Sequence, residues 1–299
     1  MQPSSEDEWT IHVINIHGVF FERWCQKFIA DTKDWKIKST NYPVEFPRPN
    51  RLLRGKESAL DIRAERLHEK TLWTLLIECK KNNPDFVNWI FFPKPSSREK
   101  NAAFLLSTLQ NVPDQTPYVR RGTRTPLGQF YFSVPIADEA RETRGSYIGY
   151  KKGDKTKTAN AAISEAAYQV ALATQAICLE EGQFSSILGF GSPSGTTEMP
   201  WNEQVFLPII VTTARIFTCD FNPSDVASTS GEIPYAKAIL NEQPFVLFEY
   251  PLPRHLQHTP IDLSGVLRQD QIDMFMRMHI FVVHSEKLGE FLNMIITNS

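Results

Sequence analysis

The sequence predicts a mixed α/β protein, of the α/β or α+β class, with a central β-sheet flanked by helices. Apolar and β-branched runs typical of strands recur along the whole chain. Stretches with the three- and four-residue spacing of amphipathic helices stand between them, and such a mixture indicates a mixed sheet. The composition, 41% hydrophobic and 22% charged over 299 residues, allows a sizeable core. We therefore expect one domain over 1–299.

The N-terminal part is expected to hold a helix between two strands. Residues 11–16 are read as a short strand, whereas 18–31 repeat apolar side chains at helical spacing and predict a helix that carries Glu22. Residues 35–40 alternate like an edge strand. The three prolines in 41–50 then predict a loop.

Two apolar runs, 59–66 and 71–80, are separated by four residues and predict a β-hairpin. Both faces of the second run are largely apolar, which indicates a central strand that is covered on each side. Because side chains alternate across a strand, Glu78 and Lys80 share a face, and Asp61 lies on the neighbouring strand. Ionised groups on a buried strand are costly unless they are paired or bind a metal. The hairpin is therefore the first place to expect a functional site.

The segment after the hairpin predicts a helix and then a basic, loop-rich insertion. Residues 86–92 fit either a helix turn or a third strand, and a short helix that enters a strand is favoured. Ser96 and Glu99 have the spacing of a capping box, which would open a helix through Gln110. Residues 111–160 are rich in Pro, Gly, Arg and Lys and are expected to be mostly loop.

The second half predicts one long helix followed by strands. Residues 158–181 have the clearest helical pattern, and Gly182 is placed to end it. The expected buried stripe of this helix comprises Ile163, Ala167, Val170, Thr174 and Ile177. After an irregular connection over 183–200, strands are expected over 205–221, with an interruption near Pro208, over 244–250 and over 279–284, and an amphipathic helix over 285–297. The segment 205–299 is apolar enough either for the core sheet or for an interface.

Cysteine usage and the N-terminus favour a cytoplasmic protein without a membrane partner. The four cysteines are far apart and lack the paired spacing of a zinc site or a disulfide scaffold, which fits a reducing compartment. The first eight residues are polar and acidic at their end, unlike a secretory signal. The sequence also lacks any run of about 18 apolar residues, which a transmembrane helix requires.

The charge distribution bears on nucleic-acid binding. The net charge of −2 is not that of a strongly basic nucleic-acid-binding protein. Residues 115–160, however, hold nine Lys and Arg against four Asp and Glu. The residues of this segment best suited to phosphate contact are Arg120, Arg121, Arg124, Lys151 and Lys152. A solvated loop surface would carry the same charges, so both interpretations stay open.

The order of elements around Asp61 and the run Glu78-Cys79-Lys80 resembles that of the PD-(D/E)xK nuclease superfamily, which has the restriction-endonuclease-like fold. The signature of this family is an Asp near the start of one strand and an (Asp/Glu)-x-Lys on the next, in a mixed sheet flanked by helices. A further acid on the preceding helix is common, and Glu22 is placed for it. The resemblance covers roughly residues 10–110. Leu60 stands where the family often has proline, a residue that many members lack.

The resemblance implies a Mg²⁺- or Mn²⁺-dependent endonuclease that hydrolyses DNA. Asp61 and Glu78 would supply hard oxygen ligands to the metal, and the backbone carbonyl of Cys79 could be a further ligand. Lys80 would position or deprotonate the attacking water, or stabilise the transition state. Glu22 would help to orient a water on the metal. Because one such site cuts one strand at a time, double-strand cleavage would imply a homodimer.

Two other interpretations of the motif stay open. If the motif were a coincidence in a structural α/β domain, Asp61 and Glu78 would lie on non-adjacent strands or face opposite sides, and Lys80 or Arg63 would serve as an internal ion-pair partner. Alternatively, a nuclease-like scaffold can be inactive and act as a nucleic-acid or protein binding module. Nucleotide hydrolysis and dehydrogenase functions have no support, because the sequence lacks a glycine-rich phosphate loop.

Overall fold

The computed structural model describes residues 5–16, 18–44, 58–82, 87–93, 105–110, 118–123, 134–143, 161–190, 201–256 and 276–297. The helices in these ranges are α1 (Glu6–Ile16), α2 (Val19–Asp31), α3 (Ala161–Phe190) and α4 (Leu288–Thr297). The strands are β1 (Lys36–Val44), β2 (Ser58–His68), β3 (Thr71–Lys80), β4 (Asn88–Pro93), β5 (Leu105–Gln110), β6 (Tyr118–Thr123), β7 (Ile136–Thr143), β8 (Glu203–Thr212), β9 (Arg215–Phe221), β10 (Ala238–Gln243), β11 (Phe245–Pro251) and β12 (Arg277–His284). Within the described ranges, the helices are too short or too polar to cross a bilayer.

The strands form one mixed sheet, which confirms the predicted α/β class. Ten strands follow the order β1-β2-β3-β8-β12-β11-β7-β4-β9-β10. The first three are an antiparallel meander, so the predicted hairpin of β2 and β3 is confirmed. β8 then runs parallel to β3 along its whole length, and β12 runs parallel to β8. β5 and β6 pair with each other, and β5 joins β8 beside this path.

Helices cover both faces of β3, which is why its two faces are apolar. On one face, α3 packs its predicted stripe, all five residues of which are buried, against a cluster that includes Leu76 and Ile210. On the other face, α2 and α4 pack against Leu75 and Ile77. The two layers bury the middle of the sheet, and Glu78 belongs to the face that α3 covers because it alternates in step with Leu76.

Pro208 lies inside β8, although proline lacks the N–H that a central strand needs. One edge of β8 pairs with β3 throughout. The other edge pairs with β5 up to Phe206 and with β12 from Ile209 onward. Pro208 therefore falls in the gap between these two partners. The predicted interruption at Pro208 is wrong, and the chain instead bends at 213–214, between β8 and β9.

The expectation of a strand over 11–16 is wrong, because these residues lie in α1. Ser5 caps this helix by accepting a hydrogen bond of 3.2 Å on its hydroxyl from the backbone N–H of Glu8. Acidic residues in the first turn add favourable interactions with the helix dipole. A serine three residues before a glutamate is the capping signal that reveals this helix in the sequence. β1 also extends to Val44, into the predicted loop.

The structure corrects four further expectations. The helix predicted through Gln110 is wrong over 105–110, because these residues pair as β5 with β6 and β8; its start at 96–104 lies outside the described residues. Residues 88–93 form strand β4, so the strand expected in 86–92 is present and the helix expected before it is wrong over 88–92. The segment 111–160, expected to be mostly loop, contains β6 and β7. Helix α3 also continues through Gly182 to Phe190, since a helix tolerates an internal glycine at a cost of about 1 kcal/mol.

Candidate active site

Glu22 is held near the end of β3 by the junction of α1 and α2. Gly18 precedes α2 with φ +81°, a left-handed conformation that favours glycine. A Cβ at Gly18 would lie 3.7 Å from the Cβ of Lys81 and 4.0 Å from Oε1 of Glu22. Lys81 also donates from Nζ to the backbone carbonyl of Asn15 at 2.7 Å. These contacts place the first turn of α2, with Glu22, beside the carboxyl end of β3.

Asp61 lies where the pairing of β2 with β3 stops. The ladder runs from His68 opposite Thr71 to Ile62 opposite Ile77 and goes no further. One residue beyond it, Oδ2 of Asp61 accepts a hydrogen bond of 2.7 Å from the backbone N–H of Cys79. The carboxylate thus takes the place of the next ladder partner, and it fixes Asp61 beside the Glu78-Cys79-Lys80 run.

Glu78 and Lys80 share a face of β3, as predicted, and contact each other. The side chain of Glu78 is buried, and its Oε1 lies 3.2 Å from Nζ of Lys80. The second carboxylate oxygen, Oε2, is also buried and has no hydrogen-bond partner among the described residues. A buried polar atom without a partner is costly, so this oxygen indicates that the site accepts a further group.

The carboxyl groups of Asp61 and Glu78 resist ionisation. Burial raises the pKa of Asp61 to about 6, opposed by the hydrogen bond from Cys79 and assisted by the charge of Glu22. Burial also raises the pKa of Glu78 to about 8, and the nearby charge of Asp61 adds to this effect, while Lys80 opposes it. Asp61 and Glu78 thus both interact with the ammonium group of Lys80, and the negative charge of Glu22 acts on both acids.

A divalent cation fits this environment. Carboxylate oxygens are the ligands that Mg²⁺ prefers, and the unpartnered Oε2 of Glu78 offers one. Among the described residues, no three His, Cys, Asp or Glu side chains are grouped closely enough to hold a metal by themselves. Mg²⁺ commonly binds through one or two carboxylates and completes its shell with water and substrate phosphate. Asp61 and Glu78 are the two carboxylates that could bind a metal in that mode.

The side chain of Cys79 lies outside the site. It is buried on the opposite face of β3, in the cluster under α2 and α4. A hydrogen bond with Cys25 and burial raise the pKa of the Cys79 thiol well above its usual value. Cys79 can therefore contribute only backbone atoms to the site, which is the contribution expected from the sequence.

The basic residues proposed for phosphate contact are not brought to the site by any described contact. Arg120 and Arg121 lie on β6, whose partner β5 joins β8 at the end away from Lys80. Arg124, Lys151 and Lys152 lie outside the described residues. Their role in nucleic-acid binding stays a prediction.

An ion-pair network near the site was not predicted from the sequence. Nη2 of Arg63 lies 2.6 Å from Oε1 of Glu65 and 2.6 Å from Oε1 of Glu181 on α3. Lys38 adds a contact of 3.3 Å to Glu65. The network ties α3 to β1 and β2 on the face that carries Glu78. The same-face spacing of Arg63 and Glu65 is visible in the sequence, but the partner on α3 is not.

Asp61 and Glu78 lie on adjacent strands, β2 and β3. The adjacency removes one arrangement that a coincidental motif would show, non-adjacent strands, whereas the contact of Lys80 with Glu78 that the ion-pair interpretation expected is present. Comparison with models of protein families, with curated proteins and with solved structures found no match to this chain.

Proposed function

We propose that this protein is a metal-dependent nuclease that hydrolyses phosphodiester bonds of DNA through Asp61, Glu78 and Lys80, assisted by Glu22. The observation that carries the proposal is the meeting of these residues at one point. Asp61 is bound to the backbone between Glu78 and Lys80, and Glu22 is near enough for its charge to act on both acids.

The order of elements supports a restriction-endonuclease-like core. Helix α2 is followed by β1, by β2 with Asp61 and by β3 with Glu78 and Lys80, as the resemblance requires. Helix α3 then leads to β8, which adds to the sheet parallel to β3. The strands β4 to β7 come between β3 and α3 in the chain; β7 and β4 follow β11 in the sheet, and β5 pairs with β6 and with one end of β8. We infer that they are an addition to the core.

Each residue of the proposed site has a role that follows from the chemistry of its side chain or backbone. Asp61 and Glu78 would hold Mg²⁺ or Mn²⁺, which supplies charge neutralisation at the phosphate and acidifies a water. The ammonium group of Lys80 would donate to the attacking water or to the phosphate oxygen on which charge develops. The N–H of Cys79 keeps the carboxylate of Asp61 oriented. Glu22 would accept a hydrogen bond from a water at the same point.

A cleavage assay tests the proposal. Supercoiled, linear and single-stranded DNA would be incubated with Mg²⁺ or Mn²⁺ and with the native protein, Glu78→Ala, Lys80→Ala or the control Lys27→Ala. Lys27 is exposed on α2 and forms a surface ion pair with Asp31. We expect cleavage by the native protein and the control, and none by the two site variants. Equal cleavage by all four would show that another protein, or another site, is responsible.

An inactive scaffold that binds nucleic acid or protein is a second candidate. It is favoured by the contact of Lys80 with Glu78, which occupies one oxygen of that acid, and by the lack of a three-acid group among the described residues. Calorimetric titration with Mn²⁺ distinguishes the candidates when no cleavage is found. Binding that Glu78→Gln abolishes would indicate a nuclease that needs a specific substrate, whereas no binding would indicate the scaffold.

A further inference from the structure

The main path of the sheet ends in β1 on one side and in β10 on the other, and the two edges differ. An edge strand offers unpaired backbone N–H and C=O groups to other chains, and proteins block such edges with lysine, proline and bulges. β1 carries Lys36, Lys38 and Pro43, and its register shifts between Ile37 and Ser39. β10 pairs with β9 in an unbroken register and contains neither lysine nor proline. In the part of the chain that the structure describes, β10 is therefore an open edge.

Apolar side chains are exposed on both faces of β10. Ile239 is 60% exposed and Leu240 is 56% exposed, and successive side chains of a strand point to opposite faces. The charged residue of the strand, Glu242, is bound by the guanidinium group of Arg215 on β9 at 2.8 Å and 2.9 Å. The charge of Glu242 is thus directed to the neighbouring strand and does not protect the edge. An exposed apolar edge pairs readily with another extended chain.

The hairpin of β9 and β10, with its connection, is acidic. Residues 215–243 hold four Asp and Glu against two Lys and Arg, and both bases are in ion pairs with two of these acids. Asp220 lies opposite Ile239, and among the described residues it has no cationic partner; its carboxylate accepts a hydrogen bond of 2.9 Å from Nδ2 of Asn241. The face of β10 that carries Ile239 and Asn241 therefore favours a positive charge on a neighbouring chain.

We propose that the open edge of β10 binds an extended segment of a partner protein, which adds to the sheet as a further strand. The segment carries two adjacent apolar residues opposite Ile239 and Leu240 and a basic residue opposite Asn241. In strand addition, backbone hydrogen bonds supply affinity and alternate side chains supply specificity. Apolar pairs across strands are favourable, and a long basic side chain opposite Asn241 reaches the carboxylate of Asp220 on the next strand.

A second copy of this chain matches the edge poorly. Antiparallel pairing of two complete β10 strands sets Ile239 opposite Glu242 and Leu240 opposite Asn241, so that apolar residues face polar ones. The register that sets Ile239 opposite Leu240 pairs only residues 238–241, because a 3₁₀ turn over Tyr235–Lys237 precedes the strand. Neither register provides a base opposite Asn241. The partner is therefore a different chain.

Selection from a peptide library tests the proposal. Random peptides of about eight residues, long enough to span β10, would be displayed on phage and selected on the native protein. Peptides that also bind the double variant Ile239→Lys and Leu240→Lys would be removed, because lysine blocks an edge. We expect selected peptides with two adjacent apolar residues and a base directly before or after them. As synthetic peptides they should bind the native protein at least about tenfold more tightly than the double variant.

Methylation of the peptide backbone shows whether binding is strand addition. The N–H groups of alternate residues in an added strand face the edge, and those of the remaining residues face away. N-methylation of the first set should abolish binding, whereas N-methylation of the second set should change the affinity by no more than about twofold. Asp220→Asn should weaken binding of the basic peptides. Leu67→Lys is the matched control, since Leu67 is exposed on β2, and it should bind the peptides as the native protein does.

Circular dichroism and urea unfolding check that each variant is folded. A selection that yields no peptide with a preference for the native protein over the double variant would overturn the proposal. Selected peptides that bind equally well after either set of methylations would also overturn it, because they do not add as a strand. A native protein that sediments as a dimer, and whose double variant sediments as a monomer, would overturn it in favour of a second copy.

Discussion

The carboxylate of Asp61 accepts a hydrogen bond of 2.7 Å from the backbone N–H of Cys79, the residue between Glu78 and Lys80. This bond joins the first acid of the candidate site to the strand that carries the second acid and the lysine. It also replaces the ladder pair that is missing beyond Ile62 and Ile77. Asp61 therefore contributes both to the fold and to the proposed chemistry, and substitutions can separate the two contributions.

Asp61→Asn should be no less stable than the native protein, whereas Asp61→Ala should lose about 1–2 kcal/mol of unfolding free energy. Asparagine keeps an oxygen that accepts from the N–H of Cys79 and removes a buried charge, but alanine leaves that N–H without an acceptor. Urea unfolding at neutral pH measures both variants. Neither variant should cleave DNA, because both lack the carboxylate. Equal stability of the two variants would mean that the bond to Cys79 does not stabilise the fold.

Glu78→Gln should stabilise the protein increasingly as the pH rises. The pKa of Glu78 in the folded protein is about 8, above its ordinary value of 4.5. Between these values the unfolded chain loses the proton while the folded chain keeps it, so the native protein loses stability as the pH rises toward 8. Glutamine removes this effect, and the gain in unfolding free energy should reach on the order of 4 kcal/mol near pH 8.

Thermal unfolding across this pH range measures the difference between Glu78→Gln and the native protein. Glu290→Gln is the matched control, because Glu290 is an exposed acid on α4 that contacts Lys287. The control should follow the native curve within about 0.5 kcal/mol. A gain for Glu78→Gln that is the same at acid and alkaline pH would contradict the raised pKa.

Binding of Mn²⁺ should release close to one proton at neutral pH. Glu78 is then mostly protonated, since its pKa is about 8, and Asp61 is mostly ionised, since its pKa is about 6. Metal ligands must be deprotonated, so affinity should rise as the pH rises between these two values. Calorimetry in two buffers of different ionisation enthalpy counts the protons. A binding heat that is identical in both buffers would show that Glu78 is not a ligand.

Arg63→Ala should cost about 3 kcal/mol, because it leaves Glu65 and Glu181 without their common partner at a largely buried position. Lys27→Ala also removes an ion pair, but the side chains of Lys27 and of its partner Asp31 are both exposed. The loss of unfolding free energy should therefore stay within about 0.5 kcal/mol. Urea unfolding of the two variants provides the comparison. Equal losses would mean that the Arg63 network does not hold α3 to the sheet.

The parts of the site that depend on local pattern were predictable from the sequence. Alternation alone puts Glu78 and Lys80 on one face, and four intervening residues make β2 and β3 a hairpin, which brings Asp61 alongside. Helix α2 follows from periodicity, but its buried residues are Cys25 and Ile29, whereas Phe20 and Trp24 of the apolar repeat are exposed. Spacing does not reveal which side of a helix meets the sheet.

The parts that depend on distant partners were not predictable. Residues 105–110 carry a helix-capping signal upstream, yet they pair as β5 with β8, about a hundred residues later. Proline in a strand predicts an interruption, but Pro208 lies at the point of β8 where pairing with β5 has ended and pairing with β12 has not begun. Glu181 joins Arg63 only because α3 packs over β2. In each case a contact between remote segments overrides the local preference.

The parallel pairing of β3 with β8 has a consequence for how the protein forms during synthesis. The ribosome completes β3, with Glu78 and Lys80, more than a hundred residues before it completes β8. Until β8 is synthesised, one edge of the apolar strand β3 has no hydrogen-bonding partner strand. Unpaired edges of this kind promote aggregation. We expect a chain that ends at residue 200 to be degraded by protease within 71–80, whereas the full chain is protected there. Protection of the shortened chain would show that β3 finds cover without β8.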